Sequence, residues 1–378
     1  MSKKSNKIIL ATGIFFPDVG GPAIHVRKIA ETLETSGYRP VVIAYGDYDG
    51  PNDFQFKVIR ISNKLPVLLR RLKYLVVVLK ESHEASLLYA FNIATAGFPV
   101  FIVGKMLHKK IIMRLPGDPI WERVVERGDR FVSFVNYYKQ GLYVKDRPWL
   151  FRFTKYVLPK FDLIVFYSRF LSDIYEKYYN IDPKRVRIIL NPVFHREPSG
   201  VERSGEPTVL FAGRFVAYKN LELLIRVFDK VRQKTRRGRL VMIGEGPDKY
   251  KLEKKIKELS LSSSVDVIPK LGQEKLFEYI QSSWFGVGPA LTEFNPNFIL
   301  ECLSLGRPVL LSRENGLSVK LPEEFLFDPQ NEKEFIEKME QMFSVDFYGD
   351  ALNIVRKFDL SQNWERVTRA HLEIIKNF

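Results

Sequence analysis

The stretch TVLFAGRFVAYKN at residues 208–220 decides the fold. Its apolar start predicts a buried β-strand over Thr208–Gly213, followed by a loop and then a helix. The loop carries two cations, Arg214 and Lys219. Ligands of doubly wound α/β domains bind beyond the carboxyl ends of the strands. The stretch therefore predicts such a domain with an anion site at the end of this strand, and two solvated loop cations are the alternative.

Similar apolar runs alternate with amphipathic helical patterns along the chain, which favours parallel sheets with helices on both faces. The first run, Lys7–Gly13, precedes a helix from about Pro22 to Ser36. The other strands predicted in the N-terminal half are Arg39–Ala44, Phe56–Ile61, Leu87–Ala90, Lys110–Arg114, Leu163–Tyr167 and Arg187–Leu190. Those predicted in the C-terminal half after residue 213 are Arg239–Gly244, Val265–Ile268, Phe285–Pro289 and Pro308–Ser312.

The length of 378 residues favours two domains, because one core rarely serves so long a chain. Residues 196–207 are polar, rich in Pro, Gly and Ser, and without apolar periodicity, which predicts a linker. The expected domains are residues 1–195 and 208–360, with one amphipathic helix, Trp364–Asn377, near the end. The predicted fold class is α/β, with two Rossmann-like, doubly wound domains facing each other across a cleft.

The net charge of +15 suggests nucleic acid, an anionic membrane surface or a phosphorylated substrate as a partner. Zinc-finger spacing, an RNP-type aromatic strand and a long basic tail are absent from the sequence, so nucleic acid is not expected. The single cysteine, Cys302, excludes an internal disulfide framework and suits a reducing cytosol. It lies in an apolar helical pattern, which favours a buried, inert thiol.

Basic and aromatic residues mix in two helical patterns, Leu65–Leu75 and Tyr137–Lys160. Such helices can lie on anionic lipid, although a solvated helix with its apolar stripe in the core explains either one alone. Uncharged runs of about 18 residues are absent, and the short Ile8–Leu10 run suits a first strand better than a signal peptide. We therefore expect a cytoplasmic protein, at most peripheral to the inner face of the membrane.

Gly20-Gly21-Pro22 follows the first predicted strand and opens a helix. Glycine lets the backbone approach a ligand, and the free N–H groups of a helix start favour an anion. An ordinary tight turn is the alternative. The Gly-x-Gly-x-x-Gly fingerprint of nicotinamide dehydrogenases is not present.

Glu293 and Glu301 flank a second predicted helix start. Asn295 suits an N-cap and Pro296 a first helical position, which would present the N–H groups near Asn297 and Phe298 to an anion. Glu301 falls inside an apolar helix, where a carboxylate needs hydroxyl or N–H partners. Ribose hydroxyls would satisfy it, and a structural ion pair is the alternative. Together with Arg214 and Lys219, these carboxylates suggest a nucleotide-sugar site.

A metal site is not expected. Asp47-Tyr48-Asp49 follows the second strand between glycines, where turns recruit aspartate, and His108, His195 and His371 lack the spacing of metal ligands.

At these residues the chain resembles the retaining glycosyltransferases of the GT4 family, which have the two-domain GT-B fold. The resemblance covers nearly the whole length. It rests on Phe16-Pro17 with Gly20-Gly21, Ser168-Arg169-Phe170 with Val186–Val193, Gly213-Arg214 with Lys219, Gly244-Glu245-Gly246-Pro247, and the Glu293-x7-Glu301 motif.

The resemblance implies the role of each site residue. Arg214 and Lys219 would hold the donor diphosphate, assisted by backbone at Gly20-Gly21, Asn297 and Phe298. Glu293 would contact the transferred sugar, and Glu301 the ribose. The base would lie near Ile268 and the turn that contains Gly244 and Gly246. The final helix would pack back on the N-terminal domain. Transfer would proceed with retention and without a metal, a cofactor or a covalent nucleophile.

Two departures from the family concern the reacting centre. Phe294 and Asn295 stand where many members have glycine, which predicts a narrower sugar pocket or altered backbone contacts. Gly117 stands where many members have histidine, which leaves Asp118 as the polar group expected from that loop.

The expected activity is transfer of a sugar from a nucleoside-diphosphate sugar, UDP-linked rather than GDP-linked, to a glycan or lipid-linked acceptor in surface polysaccharide or glycolipid synthesis. One alternative is a nucleotide-sugar epimerase of the same fold, which would act on the donor without an acceptor. Another is a non-catalytic basic protein that binds nucleic acid or lipid, whose binding would survive loss of Glu293 and Arg214.

Overall fold

The computed structural model describes residues 5–18, 21–48, 50, 53–193 and 202–378. Its strands are β1 Lys7–Ala11, β2 Arg39–Tyr45, β3 Lys57–Ile61, β4 Ala85–Ala90, β5 Lys110–Leu115, β6 Leu163–Phe166, β7 Val186–Ile188, β8 Thr208–Ala212, β9 Arg239–Ile243, β10 Val265–Ile268, β11 Phe285–Gly288, β12 Val309–Ser312 and β13 Leu326–Phe327. Every predicted strand is confirmed, with ends that differ by at most two residues, and β13 is an addition.

The α-helices are α1 Gly21–Thr35, α2 Val67–Ser82, α3 Phe98–Met106, α4 Trp121–Glu126, α5 Phe134–Lys139, α6 Leu142–Asp146, α7 Pro148–Val157, α8 Arg169–Tyr179, α9 Leu221–Thr235, α10 Lys249–Glu258, α11 Gln273–Ser282, α12 Asn297–Ser304, α13 Glu332–Met342, α14 Val345–Val355 and α15 Trp364–Lys376. None of the helices in the described ranges is long and apolar enough to span a bilayer.

Two parallel sheets organise the chain. The first has the strand order β3-β2-β1-β4-β5-β6-β7 and the second the order β10-β9-β8-β11-β12-β13. In each sheet the order reverses beside the first strand in the chain, β1 or β8, as in doubly wound Rossmann-like domains. The predicted α/β class is confirmed.

Two compact units contain these sheets. The first comprises Met1–Ile120, Tyr143–Leu190 and Trp364–Phe378, and the second comprises Trp121–Leu142 and Asn191–Asn363. Residues 121–142 thus group with the second unit, although their place in the sequence predicted them inside domain 1–195. Of the predicted linker, residues 196–201 lie outside the described residues.

The last helix completes the core of the first unit. Val367 and Ile375 of α15 are buried in the same apolar cluster as the strands of the first sheet. His371 is fully buried, and its Nδ1 lies 2.9 Å from the Tyr89 hydroxyl. Burial and then the nearby Arg114 guanidinium hold the pKa of His371 well below its usual range, so this imidazole is neutral at neutral pH.

Candidate functional site

The carboxyl edge of the second sheet gathers most of the predicted site residues. Gly213 directly follows β8, and its N–H donates to the carbonyl of Ile243 at 2.9 Å. Gly244 follows β9 and donates in the same way to the carbonyl of Ile268, the last residue of β10, at 2.9 Å. Because all these strands are parallel, the loops that carry Arg214 and the Gly-Glu-Gly-Pro turn leave the sheet on the same side.

Gly244 and Gly246 shape this turn because no side chain fits at either position. Their φ angles are +153° and +159°. A Cβ atom would lie 1.9 Å from the Gly213 carbonyl oxygen at Gly244, and 2.2 Å from the Phe215 carbonyl oxygen at Gly246. The turn therefore packs directly on the backbone after β8, and any contact of these two glycines with a nucleotide is through the main chain.

Lys219 and Glu293 form an ion pair at the same edge. Lys219 ends a 3₁₀ turn, Ala217–Lys219, and its Nζ lies 2.6 Å from Glu293 Oε1. The two side chains are 16% and 11% exposed. Burial opposes the charge of Lys219, but the adjacent carboxylate outweighs burial and raises the pKa of the lysine above its usual value. Lys219 is therefore cationic at neutral pH.

The loop of Glu293 is fixed by its backbone. Its N–H donates to the carbonyl of Glu314 at 3.1 Å, and its carbonyl accepts from the N–H of Gly316 at 2.7 Å. The Glu314 carboxylate accepts from the Thr292 hydroxyl at 2.6 Å and from the N–H of Val135 at 2.9 Å. Glu314 was not predicted from the sequence, although its place two residues after the carboxyl end of β12 is a signal that could have found it.

Arg214 presents a largely exposed guanidinium. Its side chain is 67% exposed, and its Nη1 lies 2.9 Å from Oε1 of Glu126 on α4. Glu126 was also missed, because nothing in the sequence pattern of α4 connects it with a loop nearly ninety positions away.

The helix between the two motif glutamates begins one residue later than predicted. Pro296, not Asn295, is the N-cap of α12, and Asn297 is the first helical residue. Pro296 has a helical φ of −73° but an extended ψ of 108°, so the ring sets the direction of entry without joining the helix. The side-chain oxygen of Asn297 accepts from Asn191 Nδ2 at 3.1 Å.

Phe298 is the second residue of α12, and its half-buried ring lies 6.3 Å from that of Phe211 on β8. The first turn of a helix leaves its N–H groups without intrahelical partners and carries the positive end of the helix dipole. The N–H groups of Asn297 and Phe298 belong to this turn, so their place in the helix suits an anion.

Glu301 lies one turn into α12 and is 8% exposed. Its Oε1 accepts a long hydrogen bond of 3.4 Å from Gln273 Nε2. Burial raises the pKa of Glu301 to about 7, and the Gln273 contact offsets this only in part. Within the described residues Glu301 has no cationic partner, so the structural ion pair that was its alternative explanation is not found there.

Phe294, the first departure within the motif, turns into an aromatic cluster. It is 8% exposed, and its ring lies 5.6 Å from that of Trp121 and 4.8 Å from that of Phe134. Trp121 also contacts Tyr218, beside Lys219, at 5.5 Å. The side chain that replaces glycine here packs against residues 121–142 and helps to hold the loop of Glu293.

The remaining predicted residues belong to the first unit. Gly20 lies outside the described residues, and Gly21 is the first residue of α1. Asp118 is fully buried, accepting from the N–H of Ile120 at 2.9 Å and from the Tyr175 hydroxyl at 3.0 Å. These bonds tie the loop after β5 to α8, so Asp118 has a structural task here, and its catalytic role stays a prediction.

The site therefore combines two cations of different kinds, Arg214 and Lys219, with the paired carboxylate of Glu293 and the start of α12. It also contains Glu301, a carboxyl group whose pKa is about 7. A planar guanidinium and a point-like ammonium bind phosphate oxygens well, and both can stabilise charge that grows on a departing diphosphate. Groups of three or more His, Cys, Asp or Glu side chains arranged to hold a metal ion are absent from the described part of the chain.

Comparison with known proteins gives two family matches. Residues 19–196 match the family described as Glycosyltransferase Family 4, and residues 195–351 match Glycosyl transferases group 1. An uncharacterized glycosyltransferase of Methanocaldococcus jannaschii is 24% identical over 68% of this chain and 59% of its own length. The alpha-monoglucosyldiacylglycerol synthase of Streptococcus pneumoniae is 21% identical over 80% of this chain and 70% of its own length.

A solved structure of similar fold is Anabaena HepE in complex with UDP-glucose. It has a TM-score of 0.72 and 14% sequence identity, and the alignment covers 98% of this chain and 100% of that one. At this identity the likeness shows the fold.

Proposed function

Because the chain belongs to the GT4-type glycosyltransferases with the GT-B fold, we propose that it transfers a sugar, with retention, from a nucleoside-diphosphate sugar to a glycan or lipid-linked acceptor. The observation that carries this proposal is the grouping of Arg214, the Lys219–Glu293 pair, the start of α12 and Glu301 at the carboxyl edge of one parallel sheet. This edge is where ligands bind in such folds.

In this proposal the diphosphate is the group that the site recognises. Arg214 takes one set of phosphate oxygens and Lys219 another, with the N–H groups of Asn297 and Phe298 as further donors. Glu301 accepts hydrogen bonds from the ribose hydroxyls. The base lies against Ile268 and the turn with Gly244 and Gly246, where the glycines leave only main chain for contact.

Departure of the nucleoside diphosphate is the step that these residues would assist. Negative charge grows on the leaving oxygen as the bond to the sugar breaks, and the two cations stabilise that charge without a metal. Glu293, held against Lys219, would orient the sugar. No covalent nucleophile enters this route, because the leaving phosphate itself would take the proton of the attacking hydroxyl on the same face of the sugar.

We propose UDP as the nucleotide and a lipid-linked or polysaccharide acceptor. HepE was solved with UDP-glucose, and the Streptococcus pneumoniae relative is named as a glycolipid synthase. These relatives support the choice of UDP over GDP and of a membrane-associated product, in line with the resemblance noted in the sequence.

Helix α2 supports action at the inner face of a membrane. Its apolar side chains Val67, Leu68, Leu69, Leu72 and Val76 are all exposed, and Leu68 is 80% exposed. Arg71 and Lys73, also exposed, lie among them. Exposed leucines beside cations are typical of helices that lie on anionic lipid, whereas a solvated surface helix turns its leucines to the core.

We expect Arg71→Gln with Lys73→Gln to weaken binding to vesicles of mixed phosphatidylglycerol and phosphatidylcholine by about 30-fold at low salt. Each cation near such a surface contributes about 1 kcal/mol, or roughly fivefold in affinity. Co-sedimentation at several salt concentrations measures the effect. The control is Lys254→Gln, which removes an exposed lysine of the second unit. Equal binding of the double variant and the control would contradict the membrane proposal.

The nucleotide site is tested by thermal-shift measurements with UDP, GDP, ADP and their common sugar conjugates. A ligand that binds only the folded state raises the melting temperature. At a ligand concentration of 100 times the Kd, the free energy of unfolding increases by about 2.7 kcal/mol. We expect UDP and a UDP-sugar to stabilise the protein and Arg214→Ala to lose this effect. Stabilisation that survives Arg214→Ala would contradict the diphosphate assignment.

An assay of the purified protein with the donor alone distinguishes a transferase from an epimerase. Isomerisation of the donor sugar without an acceptor, followed by NMR, would identify an epimerase instead of a transferase.

A further inference from the structure

Residues 121–142 are an integral part of the second unit, although they interrupt the chain of the first. Two hydrogen bonds from backbone N–H groups to side chains anchor them: the N–H of Phe134 donates to the Thr292 hydroxyl and that of Val135 to the Glu314 carboxylate, both at 2.9 Å. Trp121 adds ring contacts with Phe294 and Tyr218. Two partners of this segment, Thr292 and Phe294, are the chain neighbours of Glu293, and a third, Tyr218, is the chain neighbour of Lys219.

The first helix of this segment, α4, brings carboxylates to the two cations of the site. It packs on the 3₁₀ turn Ala217–Lys219. Glu126 Oε1 lies 2.9 Å from Arg214 Nη1. Glu122 stands four residues earlier on the same helix face, and its charge adds to the pull that keeps Lys219 protonated. One short helix therefore offers two negative charges to the two side chains assigned to the diphosphate.

Glu126 accepts from one guanidinium nitrogen of Arg214, Nη1, so a phosphate that binds the Arg214 fork through two parallel N–H···O bonds including this nitrogen competes with the carboxylate. The exchange needs only side-chain movement. Glu126 and Arg214 are 31% and 67% exposed, whereas the anchors at Phe134, Val135 and Trp121 are hydrogen bonds from backbone N–H groups and buried rings that do not involve either side chain.

We propose that Glu126 and the donor diphosphate compete for Arg214, so that each donor molecule must displace an internal carboxylate to bind. This inference rests on the proposed function, because it concerns the same site. The competition lowers the apparent donor affinity, because only the fraction of the protein in which Glu126 has released Arg214 binds the donor fully. It also lets the site release its product, since Glu126 retakes Arg214 as the nucleoside diphosphate leaves.

The test compares UDP affinity, measured by calorimetry at low salt, in the wild type and in Glu126→Gln. We expect the variant to bind UDP about fivefold more tightly, which corresponds to the roughly 1 kcal/mol that an exposed ion pair contributes at most. The gain should shrink as salt screens the pair. A glutamine of the same shape keeps the packing of α4 and removes only the charge.

Glu222→Gln is the matched control. Glu222 pairs with Lys251 at 3.1 Å, with side chains 29% and 66% exposed, so its distance and exposure match those of the Glu126–Arg214 pair. We expect it to leave UDP affinity unchanged. If Glu126→Gln binds UDP as the wild type does, or more weakly, the competition is refuted. Weaker binding would mean that Glu126 instead orients Arg214 for the phosphate.

Arg214→Ala separates this outcome from failure of the proposed function. If it weakens UDP binding while Glu126→Gln has no effect, the diphosphate site stands and only the competition is wrong. If neither variant changes UDP binding, the site itself is elsewhere and both proposals fall.

Discussion

Replacing Lys219 by methionine is expected to slow sugar transfer by about 10²- to 10³-fold, the usual effect of removing one group that stabilises a growing negative charge. Lys219 is the less exposed of the two cations, is fixed by Glu293 at 2.6 Å, and is cationic at neutral pH. A cation held in place before the reaction needs no reorganisation when charge develops on the diphosphate. Release of UDP from the donor identified by thermal shift measures the rate.

The same substitution also affects stability, which the design must separate from catalysis. Removing one partner of a mostly buried ion pair leaves the other without compensation and costs about 3 kcal/mol. Lys219→Met with Glu293→Gln removes both charges, so we expect it to regain most of the stability while transfer remains lost. Lys254→Met, at an exposed lysine, should change neither. Substantial transfer by the stable double variant would refute the assigned role of the pair.

Glu301→Gln is expected to stabilise the protein at pH 8 by about 3 kcal/mol and to weaken its preference for ribose. The pKa of Glu301 is about 7 in the folded protein against 4.5 for an ordinary glutamate, and each unit is worth 1.36 kcal/mol. Because the pKa of Glu301 is higher in the folded than in the unfolded protein, the stability that its protonated form contributes is fully present below pH 4.5. This contribution is lost as the pH rises through about 7. A neutral glutamine avoids this loss.

Urea denaturation at pH 5, 6, 7 and 8 measures the difference between wild type and Glu301→Gln, which should grow across this range. Glu278→Gln is the control, because Glu278 is an exposed glutamate on the neighbouring helix α11. A stability difference independent of pH would show that Glu301 does not titrate as assigned.

Nucleotide binding gives Glu301 a second readout. Ribose hydroxyls donate best to an ionised carboxylate, so affinity for the UDP-sugar, whose phosphates have no second ionisation near pH 6, should rise between pH 6 and 8 in the wild type. In Glu301→Gln both this rise and the preference for UDP over 2′-deoxy-UDP should disappear. An unchanged preference in the variant would remove Glu301 from the ribose site, whatever its effect on stability.

The sequence predicted those features of fold and site that depend on local pattern. The strands were found because each is a short apolar run, and Glu301 because a carboxylate inside the apolar face of α12 conflicts with the helical pattern. The burial of Cys302 followed from the same helix and is confirmed. Gly244 and Gly246 were identified as a turn through the family resemblance, and the close approach to Gly213 and Phe215 that demands glycine is visible only in three dimensions.

What the sequence did not predict depends on contacts between distant residues. Nothing in the periodicity of residues 121–142 indicates that they belong to the second unit and not to the first. Their aromatic partners lie more than ninety residues away in the chain. The buried place of Asp118 depends on Tyr175 in the same manner. The start of α12 was displaced by one residue because proline fixes only φ, and the ψ that decides whether it joins the helix is set by its surroundings.

The position of α15 affects the order in which the protein can be assembled on the ribosome. Most of the first sheet is synthesised before the second, yet Val367 and Ile375 of its core follow residues 191–363 of the second unit in the chain. Domains generally fold as units during synthesis. Here the apolar face of the first unit that α15 covers stays exposed until residues 191–363 of the second unit have been synthesised. Neither unit is contiguous in the chain, so a nascent fragment ending near residue 195 cannot complete its core by itself.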